Sequence, residues 1–133
     1  MSTFHLQIVT PDGAFFDGPA ERVKVRTING DVAILDRHIP YVTALGIGEA
    51  SVTVDGRTRT AAASGGMLAV TPGHVRVVAT TFEWAEDIDV ERAKRARESA
   101  EAAIRQETDP NQLELAKARL SRANARLKAA EKL

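Results

Sequence analysis

The placement of glycine divides this chain of 133 residues into two parts that differ in secondary structure. All nine glycines lie between Gly13 and Gly73 and four of the five prolines lie between Pro11 and Pro72, whereas the last sixty residues contain no glycine. Glycine and proline mark turns, so tight turns are confined to the first part. The sequence therefore predicts two domains, residues 1–86 and residues 87–133, with a boundary near Trp84 to Asp89.

The first part has the pattern of short β-strands joined by tight turns. Apolar and polar residues alternate at residues 4–8 and 22–26, and this period of two indicates strands with one buried face. Asn29-Gly30, Asp55-Gly56 and Pro72-Gly73 supply turn residues between such runs. Several hairpins in series predict an antiparallel β-sandwich or flattened barrel.

The second part has helical periodicity. Asp109 is placed to cap a helix, Pro110 suits its first position, and Gln112 stands where a capping-box partner would reach back. Apolar residues then recur at spacings of 3 and 4, which predicts a coiled-coil-like seam: Leu113, Ala116, Leu120, Ala123, Leu127 and Ala130. An earlier helix is predicted to begin near Asp89 and to carry Ala93, Ala96, Ala100, Ala103 and Ile104 on one side.

The two helices are separated by a short link at residues 106–109, so they must run antiparallel. The predicted fold class is α+β, an N-terminal antiparallel β-sandwich followed by a C-terminal antiparallel α-helical hairpin. The seam is rich in alanine, which buries much less apolar area than leucine, at roughly 25 cal/mol per Å². We therefore expect a hairpin that is marginally held and can open or leave the β part.

Composition excludes several classes of protein. There is no cysteine and the histidines His5, His38 and His74 are scattered, so we predict no disulfide, thiol chemistry or metal site. No apolar stretch is long enough to cross a bilayer and no export signal is visible, so a cytosolic location is expected. Net charge is −3 over residues 1–87 and +3 over residues 88–133, which is too balanced to favour nucleic acid as a partner.

Three segments in register carry a resemblance to a known family. They are GDVAILDRHIP at residues 30–40, SGGMLAV at residues 64–70 and EDIDVERA at residues 86–93. Their order and spacing, followed by an alanine-rich hairpin, resemble the epsilon subunit of bacterial F-type ATP synthases. The resemblance covers essentially the whole chain.

The resemblance implies a rotor subunit of the central stalk, which couples ion translocation to ATP synthesis and inhibits ATP hydrolysis through a mobile hairpin. The implied partners are the gamma subunit and the ring of c subunits, and the alpha and beta subunits when the hairpin extends. The chain would then sit at the cytoplasmic side of the cell membrane as a peripheral subunit. It would require no cofactor, ATP being a regulatory ligand for which magnesium is not essential.

The family's nucleotide-binding motif I/L-D-x-x-R-A matches residues 88–93. From spacing alone, the favoured interpretation is that Asp89 caps a helix and that Arg92 is a solvated surface charge. A stripe of arginines beside the second seam, Arg119, Arg122 and Arg126, supports an anion site, because like charges need neutralisation. The resemblance implies an ATP site formed by Glu83, Ile88, Asp89, Arg92, Ala93, Arg122 and Arg126. A further arginine expected on the first helix is not clearly placed, with Arg95, Arg97 and Ser99 near that position.

The resemblance also implies a loop that contacts the c ring, with Asp31, Asp36, Arg37 and His38 as its residues. This chain departs from the family there, because Asp36-Arg37 precedes His38 where many relatives have Pro-Gly. Ser64-Gly65-Gly66 resembles a nucleophile-bearing turn, but it has no G-x-S-x-G context, and close packing of strands is the preferred interpretation.

No acid–base pair, nucleophile or metal cluster is visible in the sequence, so the chain is predicted to be a non-catalytic subunit. One alternative is a free-standing nucleotide-sensing switch protein whose hairpin opens without ATP. A nucleic-acid-binding module using the arginine stripe is a further alternative, against which neutral charge and the lack of aromatics among the arginines argue.

Overall fold

The structure, a computed structural model, describes residues 2–132 as eight β-strands followed by two α-helices. The strands are β1 (Phe4–Thr10), β2 (Gly13–Ala20), β3 (Arg22–Thr27), β4 (Gly30–Leu35), β5 (Tyr41–Ala44), β6 (Ile47–Val54), β7 (Arg57–Thr71) and β8 (His74–Trp84). A 3₁₀ turn, Ala85–Asp87, leads to α1 (Val90–Gln106) and α2 (Pro110–Ala130). The predicted fold class is thus confirmed.

The strands form one sheet in the order β2-β1-β8-β7-β6-β3-β4, with β5 paired to β7. The predicted turns fall where glycine or a left-handed residue is required, as at Asp55 (φ 50°) and Gly56 (φ 76°). All pairings are antiparallel except β1 with β8, which is parallel. Tight hairpins force antiparallel neighbours, whereas β1 and β8 are joined through most of the domain and no short turn fixes their direction.

Strand β7 bends in its middle at Gly65 and Gly66. Before the bend it pairs with β6, and after the bend with β5. Both glycines have positive φ, and a Cβ on Gly66 would lie 1.8 Å from the carbonyl oxygen of Val78. The neighbouring Ser64 is buried and its hydroxyl is hydrogen-bonded to Thr81, so this segment is a packing feature, as the sequence predicted.

The sheet curls around a single apolar core. Inward side chains from strands far apart in the sheet order, such as Leu6 on β1 and Ile34 on β4, belong to one buried cluster. Phe82 and Trp84 at the end of β8 are also buried and meet edge to face, with ring centroids 5.0 Å apart. The aromatic residues at the end of β8 are therefore core residues.

Both helices begin where the sequence predicts. Asp89 accepts a hydrogen bond from the backbone N–H of Arg92, and Asp109 accepts one from that of Asn111. The predicted capping box is wrong in one respect, because the N–H of Asp109 donates to Glu107 and not to Gln112. No helix within residues 2–132 is long and apolar enough to cross a membrane.

Helix α2 lies between α1 and the sheet and uses two opposite faces. The predicted seam faces α1, with Ala116 and Ala123 fully buried. A second alanine stripe, which sequence analysis did not identify, packs Ala125 and Ala129 against the sheet at β6 and β7. On α1, Ala93 and Ala100 are buried as predicted, but Ala96 is exposed because it borders an open cleft.

Candidate functional site

The cleft that holds most of the predicted site residues lies where three elements meet. Strand β8 ends there, α1 begins there, and the second half of α2 passes alongside because the hairpin is antiparallel. The cleft has a volume of about 240 Å³ and is lined by Glu83, Asp89, Arg92, Ala93, Ala96 and Arg126. Residues more than forty positions apart in the sequence are therefore brought together by the docked hairpin.

An ion pair crosses the cleft from the sheet to α2. Arg126 Nε lies 3.0 Å from Glu83 Oε1 and donates a hydrogen bond to it, and both side chains are little more than a third exposed. The pair joins the β-sandwich to the hairpin directly. Any anion that enters the cleft must share or replace Glu83 as the partner of Arg126.

The start of α1 supplies the other two charged groups. One carboxylate oxygen of Asp89 caps the helix at 3.1 Å from the N–H of Arg92, which confirms the N-cap interpretation and leaves the second oxygen for another partner. The Arg92 side chain is exposed and forms no salt bridge within residues 2–132. Arginine at such a position is suited to bidentate contact with phosphate oxygens.

The other two predicted residues lie outside the cleft. Arg122 lines a neighbouring cavity of about 300 Å³ that shares Glu83 and Arg126 with it. Ile88 is buried in a cluster with Ala62 and Ala129 and does not line the cleft. Of the seven residues predicted to bind ATP, the structure thus places five at one cleft: Glu83, Asp89, Arg92, Ala93 and Arg126.

No arginine further along α1 lines either cavity. Arg97 lies 3.8 Å from Glu101 on its own helix, and Ser99 is exposed on the surface of α1. The residues suggested near the missing arginine position therefore do not complete the cleft in the docked arrangement.

The residues predicted to form one ring-contacting loop occupy two places. Asp36, Arg37 and His38 follow β4, with Arg37 in a left-handed conformation (φ 68°). Asp31 lies at the other end of β4, roughly 17 Å away at about 3.3 Å per residue, where it pairs with Arg26 at 3.0 Å. The prediction of a single loop is wrong in this respect, because β4 is an extended strand between its members.

Two further contacts, one from α2 and one from the turn that follows it, were missed by sequence analysis. Lys128 and Lys132 bind the half-buried Glu49 of β6, with N–O distances of 3.5 and 3.4 Å. The sequence offered two signals for these contacts. The two lysines are four residues apart, and they lie on a different helical face from Arg122 and Arg126.

The fold and cleft define a class of binding protein. Within residues 2–132 the cleft presents arginines and carboxylates, but no nucleophile beside a base and no cluster of metal ligands. The family description "ATP synthase, Delta/Epsilon chain, beta-sandwich domain" matches residues 3–85, and "ATP synthase, Delta/Epsilon chain, long alpha-helix domain" matches residues 86–131.

Relatives support the same assignment over the full length. The ATP synthase epsilon chain of Caldicellulosiruptor bescii is 38% identical over 98% of this chain and 96% of that protein. The protein of the same name from Bacillus velezensis is 43% identical over 96% of each. A chain of the Euglena gracilis mitochondrial ATP synthase structure (OSCP/F1/c-ring) superposes with a TM-score of 0.86 at 25% identity, covering 98% of this chain and 82% of that one.

The chain belongs to the ATP synthase delta/epsilon chain family. The resemblance identified in the sequence is therefore confirmed. Membership in this family also confirms that the chain is a non-catalytic subunit.

Proposed function

We propose that this chain is a central-stalk subunit of a bacterial rotary ATP synthase, which couples ion translocation to ATP synthesis and restrains ATP hydrolysis through its hairpin. The Euglena gracilis mitochondrial ATP synthase structure that it resembles, an OSCP/F1/c-ring assembly, supports this role. The β-sandwich binds the gamma subunit and the c ring. The complex holds the chain at the cytoplasmic side of the cell membrane as a peripheral subunit.

The exposed loop after β4 is the part of the sandwich that we assign to the c ring. Asp36, Arg37 and His38 lie there beside Leu35 and Ile39, which are 54% and 73% exposed. Apolar side chains exposed next to charged ones are typical of an interaction surface. Asp31, paired with Arg26 at the far end of β4, contributes less to this contact.

ATP is the regulatory ligand that we assign to the cleft. The single observation that carries this assignment is that one cleft is lined by β8, α1 and α2 at once. A ligand that binds all three elements favours the docked hairpin over any state in which α2 has left the sheet. ATP therefore lowers the population of extended hairpins that reach the alpha and beta subunits.

The charges suit a nucleotide. Arg92 and Arg126 provide guanidinium groups for phosphate oxygens, while Glu83 and the free oxygen of Asp89 can accept from an amino group or ribose hydroxyl. Nothing in the cleft activates water, so the nucleotide is bound and not hydrolysed. We expect magnesium not to be essential, because Arg92 and Arg126 can contact phosphate oxygens directly.

Calorimetric titration of the isolated chain with ATP tests the ligand. We expect saturable binding that falls about 10- to 100-fold in Arg92→Ala, since a charge-assisted hydrogen bond contributes about 1.5–3 kcal/mol. Arg95→Ala is the matched control, because Arg95 is exposed on the same helix but does not line the cleft. Absence of binding at millimolar ATP would overturn the assignment.

A second variant separates the two roles of Asp89. Asp89→Asn retains an N-cap side chain and removes the charge, so α1 keeps its start while a contact from the carboxylate to ATP is weakened. Unchanged affinity in Asp89→Asn would leave Asp89 as a cap alone.

Copurification tests the assembly. A stable complex of this chain with the gamma subunit of its own cell is expected, and it should persist in a truncation at residue 86 that lacks the hairpin. A chain found only as a free monomer would favour the alternative of a free-standing nucleotide-sensing switch protein.

A further inference from the structure

Three residues in one row across the sheet form the surface on which α2 lies. Glu49 on β6 is paired in register with Ala62 on β7, and Ala62 is paired with Glu83 on β8. Register partners point to the same face of a sheet, here the face opposite the main core. The sequence of side chains across the strands is therefore carboxylate, methyl, carboxylate.

The width of this row matches a helix. Adjacent strands are about 4.8 Å apart, so the two carboxylate residues are separated by roughly 10 Å at their backbones, close to the 10–12 Å diameter of a helix. Ala125 and Ala129 of α2 pack in the same buried cluster as Ala62 in the middle of the row. A helix with a small ridge can thus lie between the two carboxylates.

The basic residues of α2 and of the turn after it are distributed to meet both carboxylates. At about 100° per residue, Arg122 and Arg126 lie roughly 40° and 80° to one side of the Ala125–Ala129 ridge, and Lys128 lies roughly 80° to the other side. Lys132, in the turn that follows α2, also contacts Glu49 on the side of Lys128. The observed contacts follow this arrangement: Arg126 binds Glu83, and both lysines bind Glu49.

The two ends of the row, which we call the Glu49 flank and the Glu83 flank, differ in their surroundings. Glu83 borders the cleft assigned to ATP, whereas Glu49 does not line it. The Glu49 side chain is only 17% exposed, so its contacts are less screened by solvent than those of a surface pair. An anion in the cleft can compete for Arg126 but cannot reach the lysines around Glu49.

We propose that the Glu49–Ala62–Glu83 row is a two-sided clamp for α2, and that the Glu49 flank holds the hairpin docked independently of nucleotide. Arg126 on the other flank exchanges between Glu83 and the ligand. The statement about exchange rests on the proposed ATP site, whereas the role of Glu49 does not. The docked population in the absence of ATP is thus set by Glu49 with Lys128 and Lys132.

Spin-label distance measurements on the full chain without nucleotide test the Glu49 flank. The chain has no cysteine, so Thr71→Cys on β7 and Ser99→Cys on α1 provide two specific labels at exposed positions. Glu49→Gln is expected to raise the ratio of undocked to docked chains about five- to tenfold. Asp55→Asn, which removes an exposed carboxylate at the β6–β7 turn, is the control and should leave the distances unchanged.

Charge exchange distinguishes direct pairing from a general loss of stability. Glu49→Lys alone should undock the hairpin more than Glu49→Gln, and adding Lys128→Glu and Lys132→Glu should restore docking. Raising the salt concentration should undock the original chain but have a smaller effect on Glu49→Gln. Distances in Glu49→Gln equal to those of the original chain, or no recovery on charge exchange, would overturn the clamp.

Calorimetric titration with ATP, done on the same variants, distinguishes a failure of the clamp from a failure of the ATP site. Undocking in Glu49→Gln with no ATP binding by either protein would support the clamp and contradict the ATP site. Saturating ATP that restores docking in Glu49→Gln would support both, because the ligand then acts through the other flank. ATP binding with unchanged docking in Glu49→Gln would contradict the clamp alone.

Discussion

The β-sandwich and the helical hairpin are built from side chains of different size. The largest fully buried side chains of the sandwich include Leu6, Ile8, Ile34 and Leu68. The fully buried residues of α1 and α2 are all alanines. Fully burying a leucine or isoleucine contributes about 1.5–3 kcal/mol, whereas a single buried methyl group contributes about 0.8 kcal/mol. We therefore expect the sandwich to be the more stable part and the docked hairpin to be the more weakly held part.

The weaker part is placed by charges as well as by packing. Alanine ridges let helices and sheet approach closely, but they fix position poorly because they are small and alike. Ion pairs from Glu49 and Glu83 give α2 its direction and register on the sheet. We expect an interface of this kind to weaken at high salt and to respond to an anion that competes for Arg126.

The largest expected effect is on the sandwich. Leu68→Ala removes a fully buried side chain next to the bend in β7 and should lower the free energy of unfolding of the whole chain by about 2–5 kcal/mol. Leu120→Ala in the half-buried seam of α2 should cost less and should leave sandwich unfolding unchanged. Urea denaturation followed by Trp84 fluorescence measures both. A larger decrease in the free energy of unfolding in Leu120→Ala than in Leu68→Ala would contradict the expectation that the sandwich is the more stable part.

Hydrogen exchange should show the two parts opening separately. We expect amides in α1 and α2 to exchange with an opening free energy at least ~2 kcal/mol below that of β7 and β8, which is about 30-fold in rate. The reason is that undocking exposes mainly methyl groups. Equal protection of residues 90–130 and of the sandwich strands would show that the hairpin is not marginally held.

Much of this arrangement was predictable from sequence because local signals were strong. Turn residues at Asn29-Gly30 and Asp55-Gly56, and caps at Asp89 and Asp109, located the elements. The parallel β1–β8 pairing was not predictable, since no short connection determines it. The sheet-facing stripe of Ala125 and Ala129 was missed because the leucine–alanine seam on the opposite face gave the clearer period.

The sequence predicted which residues form the candidate site better than it predicted how they are arranged. Motif residues Asp89, Arg92 and Ala93 line the cleft, and the antiparallel hairpin brings Arg126 to them, as expected. The partners of Lys128 and Lys132 depended on strand register, which places Glu49 beside α2. Side-chain spacing along one helix cannot reveal such a partner on another element.

Overpacking the docking surface should release α2 at intermediate cost. Ala129→Leu inserts three carbon atoms where the side chain is fully buried against the sheet, and should weaken docking by about 1–3 kcal/mol. Ala14→Leu, at an exposed position of β2, is the control for added volume. Spin-label distances should lengthen in the first variant only. Docking that survives Ala129→Leu would indicate a looser, charge-dominated interface.

The smallest expected effect on stability is at Glu86, in the 3₁₀ turn that connects the sandwich to the hairpin. The guanidinium of Arg59 hydrogen-bonds to Glu86 and holds the pKa of that carboxyl below its ordinary value of 4.5, with a backbone hydrogen bond also lowering the pKa and burial opposing. Because the pKa is depressed in the folded state, the stabilisation is complete above pH 4.5 and is lost as pH falls through the folded pKa. Both side chains are nearly half exposed, so it amounts to less than ~1 kcal/mol.

The pKa of Glu86 also shows whether the connecting 3₁₀ turn, Ala85–Asp87, is held by the sandwich or by the hairpin. Arg59 lies on β7 with its guanidinium 3.7 Å from the ring centroid of Trp84, so its position depends on the sandwich. Carboxyl NMR titration should show the pKa of Glu86 rising toward 4.5 in Arg59→Met but staying low in Ala129→Leu, whose hairpin is released. A pKa of Glu86 that rose in Ala129→Leu would instead show that the 3₁₀ turn is held by the hairpin. The division between the more stable and the more weakly held part would then fall before residue 85.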